Sequence, residues 1–315
     1  MFIVKHRKIF YTFSALLIAA SIAALVAWGM SFSIDFTGGS SIQFAYPSGR
    51  PDISVVKSEI DSLSLTPPVK GAYTLVPSGA NGYTLDLRAI TDAERTQIVS
   101  ALSADASDTP VVTQFSSIGP VLGAAAASKS IVAIILVILC IVLFITFAFR
   151  KVSEPVSSFK YGLVSILCLL HDITIPTGAF LILNHYFHDY QIDTLFVTAI
   201  LVILGFSIHD TIVVFDRIRE NLRRHASEKN KLSFEATVGA SISQTFVRSV
   251  NTSLTTLLAI LVVYLIGPAA TKHFALALII GIFFGTYSSI FIGSNLLVTL
   301  WKGQEKAAQN KGKKA

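Results

Sequence analysis

The sequence predicts a membrane protein: an all-α bundle of six transmembrane helices, with one α+β domain inserted after the first. Three observations lead there. Hydrophobic residues make up 52% of the 315 and charged residues only 14%, whereas a soluble domain of this size carries about a quarter charged residues. Six apolar runs approach the length of about 20 residues that crosses hydrocarbon about 30 Å thick. The segment 31–129, between the first two runs, instead shows short strand and helix periodicities.

The runs are Ile9–Met30, Ser130–Phe149, Tyr161–Leu183, Thr194–Phe215, Thr252–Ile266 and Phe274–Leu300. The first exceeds a secretory signal in length and lacks a small-residue cleavage pattern before Ser31, so it reads as a permanent helix. Lys5, Arg7 and Lys8 precede span one. Arg150, Lys151 and Lys160 join spans two and three. Arg217, Arg219, Arg223, Arg224, Lys229 and Lys231 join spans four and five. Lys302, Lys306, Lys311, Lys313 and Lys314 follow span six. The connection Asn184–Asp193 carries no Lys or Arg. Basic residues mark the cytoplasmic side, so both termini are expected there and 31–129 outside. The chain divides into 1–30, 31–129, 130–300 with a cytoplasmic loop at 217–250, and a basic tail at 301–315. The net charge of +6 is then a topology signal, not a nucleic-acid surface. Cys140 and Cys168 both fall in apolar runs and form neither a disulfide framework nor a CxxC metal spacing.

Within 31–129, "DFTGG" (Asp35–Gly39) is glycine-rich but no GxGxxG or GxxxxGK follows. It is expected to lead into the first strand, using the freedom of glycine at positive φ. "SSIQFAYP" (Ser40–Pro47) alternates as a strand. Asp52–Leu63 places Ile53, Val56, Ile60 and Leu63 at helical spacing behind Asp52 as N-cap. Ala72–Pro77 and Gly82–Ile90 are strands about a turn. Thr91–Ser103 is a helix with a Thr91/Glu94 capping box, and Thr109–Ser117 a last strand. The order βαββαβ is that of ferredoxin-like folds. No paired carboxylates, His/Cys cluster or Ser/His pair suggests catalysis here.

Ionisable residues inside apolar spans cost about 2.5–3.5 kcal/mol each on insertion scales and are functional candidates. Span three holds His171 and Asp172 near its midpoint, and span four holds His209 and Asp210. Asp216 stands beside Arg217 and Arg219, where an interfacial ion pair and a functional role are both open. Arg248 precedes span five and is followed by Asn251, Thr252, Ser253, Thr255 and Thr256. These hydroxyls either bond their own helix carbonyls or line a polar path. Burial raises a carboxylate's pKa and a nearby Arg lowers it. An Arg248 that approaches and leaves Asp210 would therefore move a proton, with His209 as a relay. Gly281 and Gly285 form a GxxxG, a mark of close helix packing, within this chain or against a partner.

Several segments together resemble the SecF family of the bacterial Sec protein translocase. They are "DFTGG", "GPVLG" (Gly119–Gly123), the span-three "HD", "GFSIHDTIVVFDRIREN" (Gly205–Asn221), "RSVNTSLTTLL" (Arg248–Leu258) and "GTYSSIFIGSNLL" (Gly285–Leu297). The resemblance implies half of a resistance–nodulation–division (RND) type transporter in the inner membrane, with the inserted domain periplasmic. It implies SecD as partner, with SecYEG, YajC, YidC and an unfolded preprotein as further partners. It implies no enzymatic activity and no cofactor other than a coupling ion, a proton or sodium. It carries the ion path onto Asp210 and Arg248, then Asp172. Two departures stand out: His209 replaces the family's usual Asn, and "GSN" at Gly293–Asn295 lacks its usual Pro.

Two other classes fit the sequence less well. A homodimeric RND-type proton-driven small-molecule exporter would need a second copy to complete the bundle. An intramembrane protease using Asp172 and Asp210 lacks the GxGD signature, and a zinc HExxH is absent as well.

Overall fold

The computed structural model describes residues 2–103, 109–149, 157–227 and 232–312. Arg150, Lys151, Lys229, Lys231, Lys313 and Lys314, used above for orientation, lie outside the described residues, as do the side chains of Lys306 and Lys311. In chain order the elements are α1 (Phe2–Lys5), α2 (Arg7–Trp28), α3 (Ile34–Thr37), β1 (Gly39–Ala45), α4 (Ile53–Asp61), β2 (Tyr73–Ser78), β3 (Gly82–Leu87), α5 (Asp92–Ala101) and β4 (Val111–Ile118). Then come α6 (Pro120–Ala148), α7 (Ser158–Phe187), α8 (Thr194–Ser227), α9 (Phe234–Ile266), α10 (Ala269–Tyr287), a π-helical turn (Ser288–Gly293) and α11 (Ser294–Gly312). They form two compact units. One is 29–132 with 180–194; the other is 1–28, 133–179 and 195–315.

The first unit is built on a four-stranded sheet in the order β2-β3-β1-β4, every pairing antiparallel. Alternation sorts its side chains: Ile42 and Phe44 of β1, with Tyr83, Leu85 and Leu87 of β3, join Val56 and Ile60 of α4 and Ile98 of α5 in one core. Both helices begin where their caps dictate. Asp52 accepts the Ser54 N–H at 2.8 Å. Thr91 accepts from the Glu94 N–H while Glu94 accepts from the Thr91 N–H at 2.8 Å, so two orphan donors are satisfied reciprocally. The unit also takes in the connection after α7. Phe32 and Ile192 form an isolated parallel bridge.

The second unit contains the apolar helices. Among the described residues, six helices are long and apolar enough to cross a membrane. α7, α8 and the α10–α11 rod are about half buried along their apolar windows, whereas α2, α6 and α9 are largely exposed. The first three are therefore the centre of the bundle. In α2, only Ser14, Ser21 and Ala24 are buried. Their smallness permits close approach: a Cβ on Gly178 of α7 would stand 2.6 Å from the Ser21 Cα.

Several boundaries differ from the hydropathy reading. The expected loop 217–250 is mostly helix, because α8 runs on to Ser227 and α9 starts at Phe234. Hydropathy marks where the apolar run stops, whereas charged residues continue the helix through i,i+3 and i,i+4 pairs. Arg219–Asp216, Arg217–Glu220 and Arg224–Glu220 are such pairs. Likewise α6 begins at Pro120, ten positions before the apolar run: proline suits a first helical position. Span six is one rod with a π turn in its middle.

The Thr91/Glu94 box predicts a pH response. The Arg88 guanidinium, and then the Thr91 N–H, hold the Glu94 carboxyl down at about 2 from its ordinary 4.5. Its stabilising effect is thus complete above pH 4.5 and lost as pH falls from there toward 2. Amide exchange across α5 in the whole protein should accelerate over that window, and Glu94→Gln should flatten the response. Thr91→Ala should speed exchange at every pH, by about 1 kcal/mol of cap energy.

Candidate functional site

Among the described residues of the second unit, two carboxylates are buried, Asp172 and Asp210, each with its own set of hydroxyls. Asp172, on α7, is fully buried. Its Oδ1 is 2.8 Å from His171 Nδ1. Its Oδ2 accepts from Ser207 of α8 and, at 2.9 Å, from Ser288 of the π turn. His171 Nε2 in turn meets Ser14 Oγ of α2 at 3.1 Å. A proton on Nδ1 leaves Nε2 as the acceptor for Ser14, so four helical segments converge on this one acid. Tyr287 stacks on the His171 ring with centroids 6.2 Å apart.

Asp210, on α8, is 2% exposed and differently served. Among the described residues, only its Oδ2 has hydroxyl neighbours: Ser253 of α9 at 3.2 Å and Thr286 of α10 at 3.4 Å. Each hydroxyl has a competing carbonyl 2.9 Å away, Ser249 O for Ser253 and Ile282 O for Thr286. The two hydroxyls also lie 2.6 Å from each other. Two hydroxyl hydrogens therefore face three kinds of acceptor. On the Oδ1 side, His209 Nδ1 is 3.9 Å away, beyond hydrogen-bond reach. Asp172 is thus supplied with three donors, of which only Ser288 has a competing carbonyl, Gly285 O at 3.0 Å, while both donors of Asp210 are contested.

The remaining candidates are distributed around this centre. His209 is 63% exposed on a face of α8 shared with Gly205, around which a Cβ would meet nothing within 4 Å. Arg248 and Asn251 are exposed on α9. Among the described residues Arg248 makes no ion pair, so the structure does not bring it to Asp210. Of the polar stripe, Thr252, Thr255 and Thr256 bond carbonyls of their own helix, and Ser253 alone reaches Asp210. Asp216 pairs with Arg219, whose guanidinium also lies over Phe149, 5.5 Å from the ring centre. Arg217 turns instead to Glu220 and Gln244. Gly281 and Gly285 pack inside the chain: side chains there would meet Ile203 and Ser207 of α8. Among the described residues no cluster of His, Cys, Asp or Glu could hold a metal ion.

Sequence reading missed Ser14, Ser207, Thr286 and Ser288. The available signal was the hydroxyls themselves. Ser14 and Ser21 stand seven apart in an otherwise apolar span, two turns of helix. Ser288 and Ser289 face different neighbours, Asp172 and Thr211.

The comparisons with known proteins agree over most of the chain. Residues 98–303 match the family model described as protein export membrane protein SecD/SecF, C-terminal. A protein translocase subunit SecF of Thermobaculum terrenum is 41% identical over 309 residues, covering 96% of this chain and 94% of that protein. The SecF subunit of Anaerolinea thermophila is 34% identical over 305 residues, covering 96% and 94%. The crystal structure of SecDF from Thermus thermophilus, a translocon-associated membrane protein, superposes with a TM-score of 0.80 at 31% identity. That match covers 95% of this chain and 38% of the longer one.

The unequal donor supply makes the two acids separable by stability. Asp172→Ala leaves the hydrogens of Ser207 and His171 unpaired, at about 1–3 kcal/mol for each orphaned group, while Ser288 still has Gly285 O at 3.0 Å. It should lower the thermal midpoint of the purified protein sharply. Asp210→Asn, which can still accept from Ser253, should leave that midpoint nearly unchanged. Gly281→Val should be destabilising by about 1–3 kcal/mol through overpacking against Ile203.

Proposed function

Because this chain belongs to the SecD/SecF family of protein export membrane proteins, with SecF subunits as its relatives, we propose that it is an ion-driven accessory subunit of the Sec preprotein translocase. It works with SecD, couples the proton-motive force to motion of its inserted domain, and so completes export of an unfolded preprotein. SecYEG, YajC and YidC are the further partners in this reading. The role is non-enzymatic, and the coupling ion is its only cofactor.

One observation carries the ion-driven part: a carboxylate deep in the bundle whose hydrogen-bond supply is incomplete. A protonated Asp210 donates to Ser253 or Thr286, and both hydroxyls keep their bonds to Ser249 O and Ile282 O. A deprotonated Asp210 draws both hydroxyls away from those carbonyls and attracts a cation. Arg248, on the same helix as Ser253, is the cation within the chain suited to that task, and long Arg stems reach inward from an exposed start. Alternation between these arrangements moves α9 against α8 with each proton. One charge crossing the membrane supplies about 2.3 kcal/mol per 100 mV, enough to bias helices between two packings. In this scheme Asp172 and His171 form a second station on the proton path. Their well-supplied bonds also brace α2, α7, α8 and the π turn.

Topology follows from the Lys and Arg distribution: an inner-membrane protein with both termini cytoplasmic and residues 31–129 periplasmic. The element order βαββαβ and the strand order β2-β3-β1-β4 support a ferredoxin-like class for that domain. SecD as partner is supported by the fused SecDF relative, of which this chain matches 38%. The α8 face bearing Gly205 and His209 is the surface we assign to a SecD helix, since an imidazole at this depth is costly against lipid.

In vesicles containing SecD and SecYEG, Asp210→Asn and Arg248→Met should each abolish stimulation of preprotein export by an imposed proton gradient, with co-purification intact. Unchanged stimulation in Asp210→Asn would sink the proton-switch role. Replacing the proton gradient with a sodium gradient separates the two ions. His209→Asn should keep the stimulation and alter its pH profile. Complete loss would make His209 an essential relay.

A further inference from the structure

The "DFTGG" motif has no place in the ion path, yet its Asp35 is bonded to a distant part of the chain. Asp35 lies in the first turn of α3 and its N–H donates to Ser33 Oγ at 3.2 Å. Its Oδ2 accepts two hydrogen bonds from Thr194, the backbone N–H at 3.0 Å and the hydroxyl at 2.6 Å. Thr194 is the first residue of α8. Helix starts are ordinarily capped by the residue just before them. At this start Asp35 also accepts, from a segment 159 positions away.

The bonds on either side make this a joint. Ser33 N donates to Ile192 O at 3.0 Å, and Ile192 N donates to Ser31 O at 2.8 Å. Gln191 Nε2 donates to Asp86 Oδ2 of β3 at 3.1 Å, and Asp86 also takes the Ser41 hydroxyl of β1 at 2.6 Å. On the other flank the glycines are obligatory. Gly38 has φ +72° and a Cβ there would stand 2.7 Å from Pro120 Cα; a Cβ on Gly123 would stand 2.7 Å from Gly38 N. Gly39, at φ +139°, lies against Leu87 O, 2.5 Å from where a Cβ would be. Three separate chain connections thus meet at one short helix: the exit from α2, the start of α6, and the connection from α7 to α8. All lie in one compact unit.

We propose that Asp35 is the coupling residue of this protein, fastening the start of the α8 helix to the root of the inserted domain so that displacement of the helix bearing Asp210 is delivered to that domain. The proposal rests on the ion-driven reading above. α8 runs without interruption from Thr194 through Asp210 to Ser227, so its first turn moves with the rest of the rod. Two bonds from one carboxylate oxygen bind that turn. The bridge at Phe32 and Ile192 and the Gln191–Asp86 bond hold the same connection to the sheet. Asp35 acts through geometry and takes no part in ion chemistry.

The test uses the full chain with SecD and SecYEG in proteoliposomes, in a Cys140→Ser background. An environment-sensitive fluorophore sits in one preparation on Lys57→Cys of the inserted domain and in another on Val262→Cys of α9. Both labels should respond to an imposed proton gradient in the otherwise unchanged protein. Asp35→Ala should keep the α9 response, while the domain response and the export stimulation fall by at least about fivefold, the lower range of coupling between sites. Asp35→Asn should retain both responses, since its amide oxygen can accept both bonds. Thr194→Val, which loses the hydroxyl bond to Asp35 and keeps the N–H bond, should fall between them and serves if Asp35→Ala fails to fold. An unchanged domain response in Asp35→Ala overturns the proposal and leaves the ion-driven reading standing. Loss of both responses marks Asp35 as a general structural support and also overturns it. If neither label responds in the unsubstituted protein, the ion-driven reading falls and this one with it.

Discussion

Hydrocarbon offers no hydrogen bonds, so each polar group carried into the bundle must find its partners on other helices. Asp172 meets that demand completely. Its partners come from α2, α7, α8 and the π turn, and the small residues of these helices are what let the partners come near. Gly178 against Ser21, Gly281 against Ile203 and Gly285 against Ser207 are close approaches in the service of a polar centre. Asp210 meets the same demand only in part. That contrast, between two acids of one bundle, is the physical basis for giving them different work.

A low-dielectric site magnifies both outcomes. A fully bonded acid there locks its helices together, and an incompletely bonded one keeps alternatives of similar energy. The proposed ion-driven role needs both kinds, a frame that does not yield and a contact that does. Ser253 and Thr286 are suited to the second role because each has a backbone carbonyl to return to. Releasing the carboxylate leaves neither hydroxyl orphaned.

Much of the fold was legible because its signals are local. The Asp52 cap and the Thr91/Glu94 box follow from residues three positions apart or fewer, and the strands follow from period-two alternation. The helical extension through 217–250 was hidden, since hydropathy reports membrane depth and not backbone conformation. Within the site, Asp172 and Asp210 announced themselves as acids in apolar runs. Their hydroxyl partners did not: a serine in a helix can always bond its own carbonyl, and only three-dimensional packing decides otherwise, as with Ser14 and Ser288. The exposed position of Arg248 was equally invisible to spacing. Asp35 looked like part of a flexible lead-in because its partner Thr194 lies far along the chain.

The π turn at Ser288–Gly293 bears on how this chain tolerates insertion and deletion. A π turn is in effect an α-helix holding one surplus residue, and successive helical residues differ by about 100° in direction. Removing one residue between Ser288 and Gly293 would leave an unbroken, well-formed helix, and composition would register almost nothing. Yet everything from Ser294 to Gly312 would be turned by about 100° relative to Asp172 and Thr211. Lys302 would no longer face Glu235, which it and Arg7 now share. The length of this segment, more than the identity of most residues in it, sets the rotational phase between the polar centre and the end of the rod.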